Sequence, residues 1–165
     1  MRGGSSNGEA PQGITPTGHA SPEAQLSALY QEIILDHYRR PRNKGTLPAP
    51  DETVQIRNPL CGDEVELAVA FDGDTVADLR FAGRGCSISQ ASASLMTQAV
   101  KGKSREEAAA LLARFHRLVH GDASAAEELG ELRAMAGVAK FPARMRCALL
   151  AWGALNEVLE RRKKG

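Results

Sequence analysis

The sequence predicts an α+β fold, with a small three-stranded antiparallel sheet packed against several α-helices. Three observations carry this expectation. Strand-like alternation clusters between Thr53 and Phe81, with an Asp72-Gly73 turn joining two of the runs. Helical spacing precedes that block once and then fills the chain beyond Cys86. Strands gathered early and helices gathered late argue for segregated layers, not for the strict strand–helix alternation of a parallel sheet.

The elements follow in order. Ser21-Pro22-Glu23 opens the first helix, because serine can cap, proline suits the first helical position and the acid meets the helix dipole. Leu26, Leu29, Tyr30, Ile33, Ile34, His37 and Tyr38 recur at helical spacing until Pro41 ends the helix. Thr53 to Arg57 alternates, Asn58 to Gly62 reads as a turn, and Val65, Leu67, Val69 and Phe71 alternate as a half-buried strand. Thr75 to Phe81 completes the hairpin, but Val76 and Leu79 break its parity, which predicts a bulge or a shifted turn. Ser87 to Val100 is a helix stopped by Lys101-Gly102. Ser104 and Glu107 have capping-box spacing before a helix that reaches about His120, and Ser124 and Glu127 repeat the device before a shorter one. Gly137 and Phe141-Pro142 punctuate, and a last helix runs from about Pro142 to Arg162, its basic end complementing the dipole.

Length and composition bound the function. The 165 residues suit one domain over residues 21–165, preceded by a Gly-, Ser-, Pro- and Thr-rich tail over residues 1–20 that is expected to be disordered. A formal net charge of +1 and an aromatic content of 4% offer neither an electrostatic footprint nor a stacking platform for nucleic acid. No run approaches a membrane span, and the first residues lack the apolar stretch of a signal peptide. Three cysteines spaced 25 and 61 positions apart do not form a disulfide framework, so a reducing, cytoplasmic setting is expected.

The chemistry-bearing residues are Cys61, Asp63, Cys86 and Cys147. Cys61 and Asp63 flank Gly62 in a turn, Cys86 follows Gly83-Arg84-Gly85 at a helix start, and Cys147 stands near the start of the last helix. Three thiolates and one carboxylate are a complete tetrahedral zinc shell. They sum to −4, so Zn²⁺ leaves a −2 centre that calls for a nearby cation. Arg144, three residues before Cys147 on the same helical face, is the candidate for neutralising the site or an incoming anionic sulfur group. Gly83 and Gly85 would let the backbone bend closely round the ion. The residue pattern by itself leaves buried core cysteines, a purely structural zinc and a reactive zinc centre all open, because no CxxC pair is present. His37 reads as a core-edge residue, and the pair His116 and His120 as a solvated helix face without a third ligand.

The runs Leu29–Asn43 (LYQEIILDHYRRPRN), Asn58–Asp63 (NPLCGD), Gly85–Ser94 (GCSISQASAS) and Lys140–Cys147 (KFPARMRC) resemble the SufU branch of the IscU-like family over about residues 26–160. The resemblance implies an IscU/SufU-like fold and a cytoplasmic role in iron–sulfur cluster assembly, with Cys61, Asp63, Cys86 and Cys147 as metal ligands. IscU scaffolds carry a histidine just before the last cysteine. Arg146 stands there in this chain, and extra helical sequence lies between about Lys101 and Val138. Both departures point to the zinc-dependent sulfurtransferase branch. The implied partners are a SufS-type pyridoxal-phosphate cysteine desulfurase and the downstream Suf assembly machinery. In that scheme a histidine of the desulfurase replaces Cys61 on the zinc, and the released thiolate accepts persulfide sulfur. A scaffold that builds a [2Fe–2S] cluster on the same four residues is the alternative.

Overall fold

Proline at the first turn and proline after the last fix the limits of the first helix, α1, which spans Pro22–Arg39 and stops short of Pro41. The computed structural model describes residues 21–60 and 62–164; the expected tail over residues 1–20 and the ligand candidate Cys61 lie outside the described residues. Three strands follow, β1 (Glu52–Arg57), β2 (Glu64–Asp72) and β3 (Thr75–Arg84), in an antiparallel sheet of order β1-β2-β3. The chain then forms α2 (Ser87–Val100) and α3 (Arg105–Val119), two 3₁₀ segments (Ala123–Ala126 and Gly130–Lys140) and α4 (Pro142–Lys164). The fold class expected from the sequence is the one observed.

Register explains the broken parity of the third strand. Ala70 pairs with Asp78 but Phe71 pairs with Val76, so Ala77 is an extra residue on β3. That bulge flips the side-chain alternation and allows Val76 and Leu79, three positions apart, both to be fully buried. Beyond it Val69, Leu67 and Val65 lie opposite Leu79, Phe81 and Gly83. Their buried face, with Val54 of β1, packs in one core with Leu155, Val158 and Trp152 of α4. Each such side chain contributes about 1.5–3 kcal/mol on burial. Gly83 is required at its position. Its φ is +130°, and a Cβ there would stand 2.1 Å from the Glu64 carbonyl oxygen. Gly83→Ala is therefore expected to cost at least about 2 kcal/mol, from backbone strain plus overlap that must be relieved by parting β2 and β3. Urea denaturation checks this, through a lower midpoint at unchanged slope.

The helices on the core are tied together by small buried hydroxyls. The Ser92 hydroxyl donates to the Ala148 carbonyl at 2.6 Å and accepts from the Trp152 indole N–H at 3.1 Å, joining α2 to α4. Trp152 in turn stacks on Phe115 of α3 with centroids 4.2 Å apart. A second clamp fixes the chain leaving α1. The Arg42 N–H donates to Ser94 Oγ, and Asn43 Nδ2 donates to Thr97 Oγ1, while Asn43 also pairs through its carbonyl with the Phe81 N–H at the open edge of β3. The DHYRRPRN stretch thus works as a strap from α1 across α2 to the sheet.

His37 is the buried centre of that strap, only 1% exposed. Its Nδ1 lies 2.7 Å from Ser94 Oγ and its Nε2 3.3 Å from Glu131 Oε1. An ionised carboxylate can only accept, so Nε2 carries the proton and the Ser94 hydroxyl donates to Nδ1. Burial holds the imidazole below its ordinary value, with Glu131 opposing in part. The unfolded chain therefore takes up this proton first as pH falls. The contribution of His37 to stability is complete above its unfolded value of about 6.5 and is lost as pH drops from there towards the folded value. The loss of urea stability between pH 7 and pH 5.5 should be shallower in His37→Gln than in the wild type.

The late helical region departs from the expected outline. Ser104 and Glu107 do form the predicted capping box. Ser124 does not repeat it; Asp122 is the cap, accepting from the Ser124 N–H at 3.0 Å, and only one 3₁₀ turn follows. An Asx turn two residues earlier outcompetes the serine box. Gly137 lies inside the 3₁₀ segment, and Phe141 terminates it. The basic end of α4 also does more than meet the dipole. Arg161 reaches Glu52 and the Thr53 carbonyl on edge strand β1, and Arg162 lies over the Phe71 ring. On α1, Leu29 and Tyr38 stay exposed, and Ile33 and Ile34 carry the packing of that stripe.

Candidate metal centre

Three of the four sequence-predicted ligands converge. Asp63 stands just before β2, Cys86 at the N-cap of α2 and Cys147 in the second turn of α4, three separate elements. One carboxylate oxygen and two Sγ atoms from these residues all lie within 4.8 Å of one another. Cys86 Sγ is 3.7 Å from Asp63 Oδ2, close to the edge of a tetrahedron with zinc–ligand bonds of about 2.0–2.3 Å. Asp63 is 4% exposed and Cys147 3%, whereas Cys86 is half-buried. The donor set is soft sulfur with one hard oxygen, which suits zinc and also iron.

Each ligand is held by local chemistry. The Cys86 N–H donates to Asp63 Oδ1 at 3.3 Å, so the start of α2 grips the carboxylate. Gly85 makes room for it: a Cβ there would lie 2.9 Å from Asp63 Oδ1 and 2.3 Å from Ser89 Oγ. Gly85 thus serves the centre directly, while Gly83 makes its room for the neighbouring strand. Ser89, one turn beyond Cys86, is fully buried; its hydroxyl donates to the Cys86 carbonyl at 3.1 Å and stands 3.9 Å from Cys86 Sγ. In the sequence its only signal is the three-residue spacing from Cys86.

Electrostatics show why this pocket calls for a cation. Burial pushes the Cys147 thiol far above its ordinary value, and adjoining Asp63 and Cys86 push it further. Among the described residues no basic side chain forms an ion pair with Asp63. A bound divalent ion would reverse the preference for the protonated thiol in favour of the Cys147 thiolate.

The loop that carries Cys61 is closed at its base beside this trio. The Asn58 N–H donates to the Asp63 carbonyl, and the Gly62 N–H donates to the Asn58 carbonyl. The Asn58 side chain accepts from the Leu60 N–H, and Leu60 projects outward, 74% exposed. Arg144 lies in the first turn of α4, exposed, lining a cavity outside the trio, and it forms no ion pair among the described residues. His116 and His120 stack on an exposed face of α3, as expected of a solvated pair.

Comparison with known proteins follows the same lines. A family model described as the NifU-like N-terminal domain matches residues 29–157. The chain is 50% identical over 139 residues to the iron–sulfur cluster assembly scaffold protein IscU of Streptococcus pyogenes serotype M1, covering 84% of this chain and 87% of the relative. It is 46% identical over 143 residues to the zinc-dependent sulfurtransferase SufU of Bacillus subtilis, covering 86% of this chain and 97% of that protein. A solved structure described as a SUF-system scaffold protein from Fervidobacterium islandicum superimposes with a TM-score of 0.72 at 32% identity, over 80% of this chain and 97% of the other. No described helix is long and apolar enough to cross a membrane. With its fold and matched residues in agreement, the chain belongs to the NifU-like N-terminal domain family of IscU- and SufU-type iron–sulfur cluster assembly proteins.

Proposed function

We propose that the chain is a zinc-dependent sulfurtransferase, taking persulfide sulfur from a SufS-type cysteine desulfurase and passing it to the downstream Suf assembly machinery. The observation that carries this reading is the convergence of Asp63, Cys86 and Cys147, one carboxylate oxygen and two sulfurs within 4.8 Å of one another. The 46% identity to a protein named as a zinc-dependent sulfurtransferase supports the same reading.

Asp63, Cys86 and Cys147 would hold the ion together with Cys61. When bound, zinc supplies Lewis-acid stabilisation that keeps thiolates ionised at neutral pH. Cys61 is the acceptor. Its thiolate attacks the terminal sulfur of the donor persulfide; a new S–S bond forms on Cys61 as the donor's S–S bond breaks, and the donor cysteine leaves as a thiolate with the electron pair. The sulfur keeps its oxidation level, so no oxidant is consumed. Cys61 suits this role because its neighbour Gly62, at φ +74°, is a conformationally permissive residue, whereas Cys86 is fixed at the N-cap of α2 and Cys147 inside α4. Arg144, one turn before Cys147, supplies positive charge for the anionic sulfur in transit.

The test is alanine formation by the cognate desulfurase. The wild-type chain loaded with about one zinc should stimulate it, and folded Cys61→Ala should not. Equal stimulation by both would sink the acceptor role. A second reading, assembly of a [2Fe–2S] cluster on the same residues, draws on the scaffold name of the Streptococcus pyogenes relative. Brown protein containing iron and acid-labile sulfide after anaerobic purification would favour it over a colourless zinc protein.

A further inference from the structure

A cavity of about 540 Å³ lies outside the metal pocket. It opens between α1, the second 3₁₀ segment and the start of α4, and its walls are mainly apolar, including Tyr30, Ile34, Ile88, Val138 and Phe141. Ile88 comes two residues after Cys86, so the start of α2 contributes to both the groove and the metal centre. Phe141 is 59% exposed at its mouth, and Leu29 of α1 lies exposed one residue from Tyr30.

Charge selects what fits there. Lys140 and Arg144 line the groove, no carboxylate does among the described residues, and Arg146 follows on the same exposed stretch. None of these three cations forms an ion pair among the described residues. Elsewhere several basic side chains are matched: Arg40 and Arg42 by Asp36, Arg80 and Lys101 by Asp78, Arg117 by Asp122, and Arg161 by Glu157. An apolar slot under an uncompensated positive rim is complementary to an apolar side chain flanked by carboxylates.

We infer that this groove is a docking site for an acidic, apolar-tipped segment of the sulfur-donating protein, placed to bring the donor persulfide to the Cys61 loop. The inference rests on the proposed sulfurtransferase reading and adds to it a recognition surface separate from the metal ligands. Docking there would make association salt-sensitive, since the rim charges are exposed.

The experiment is titration calorimetry of the zinc-loaded full-length chain against the cognate cysteine desulfurase, paired with alanine-formation kinetics. The double variant Lys140→Glu/Phe141→Ser should bind at least about tenfold more weakly. It should retain wild-type zinc content and melting temperature, and its half-saturation concentration should rise while kcat stays near wild type. Lys163→Glu, on the far end of α4, should bind as the wild type does. Wild-type-like affinity of the double variant, alongside a wild-type chain that binds and stimulates, would overturn the groove assignment and leave the sulfurtransferase reading standing. Failure of the wild-type chain to bind or stimulate would overturn both. A concentration-dependent wild-type dimer that the double variant abolishes would reassign the groove to a second copy of this chain and also overturn the inference.

Discussion

Replacing Cys147 by serine is expected to weaken zinc binding by two to three orders of magnitude while leaving the metal-free fold intact. Cys147 is 3% exposed, in the second turn of α4, whose Ala148 and Ala151 belong to the core. Serine fits that space but offers a neutral, hard hydroxyl where the site needs a thiolate. Structural zinc sites with four ligands have apparent affinities of about 10–16 kcal/mol, so one ligand accounts for about 3–4 kcal/mol, or roughly 10²–10³ in Kd. The substitution also relieves acid crowding, because burial and the adjoining Asp63 and Cys86 push the Cys147 thiol far up when no cation is present. Metal-free Cys147→Ser should therefore unfold near the wild-type midpoint, and only the zinc-loaded form should lose stability. Competition with a chromophoric zinc chelator measures the affinity, and an unchanged Kd would remove Cys147 from the ligand set.

A second large effect is expected at a residue that is no ligand. Gly85→Ala would place a methyl group 2.9 Å from Asp63 Oδ1 and 2.3 Å from Ser89 Oγ. The same oxygen accepts from the Cys86 N–H, so the carboxylate cannot retreat from the methyl group without stretching that bond. Misplacing one ligand by a fraction of an ångström should cost about 10–100-fold in zinc affinity, the range seen when the support of a ligand is lost. Gly62→Ala is the informative contrast. Its φ of +74° makes an added Cβ strained, yet among the described residues no atom beyond its chain neighbours lies within 4 Å of that Cβ, so the penalty is backbone strain. If Gly85→Ala binds zinc as tightly as the wild type, the close approach of Asp63 to α2 does not matter for the metal.

The elements with local start and stop chemistry were legible in the chain. The capping box at Ser104 and Glu107, the stop at Gly102 and the prolines bounding α1 act within a few residues, and all appear where expected. The parity break between Val76 and Leu79 also foretold the bulge, because alternation is a property of one strand. What could not be read is what depends on distant partners. His37 meets Ser94 across 57 positions, and Gly83 and Gly85 look alike in sequence although one faces the Glu64 carbonyl and the other the Asp63 carboxylate. Ser124 misled because two capping devices overlap, and the nearer Asp122 wins. The ligand residues themselves stood out by type, but the meeting of Asp63, Cys86 and Cys147 emerges only from the packing of three elements. The groove lined by Tyr30, Ile34 and Phe141 gave no signal, since exposed and buried members of an apolar stripe read the same.

The most direct measurement is where sulfur arrives. After one turnover with the persulfide-loaded cognate desulfurase, the zinc-loaded chain is alkylated, digested and mapped by mass spectrometry. One added sulfur atom on the peptide carrying Cys61, with none on those carrying Cys86 or Cys147, is the predicted result. Sulfur on Cys86 or Cys147, or an unmodified Cys61 while the desulfurase is discharged, would contradict it.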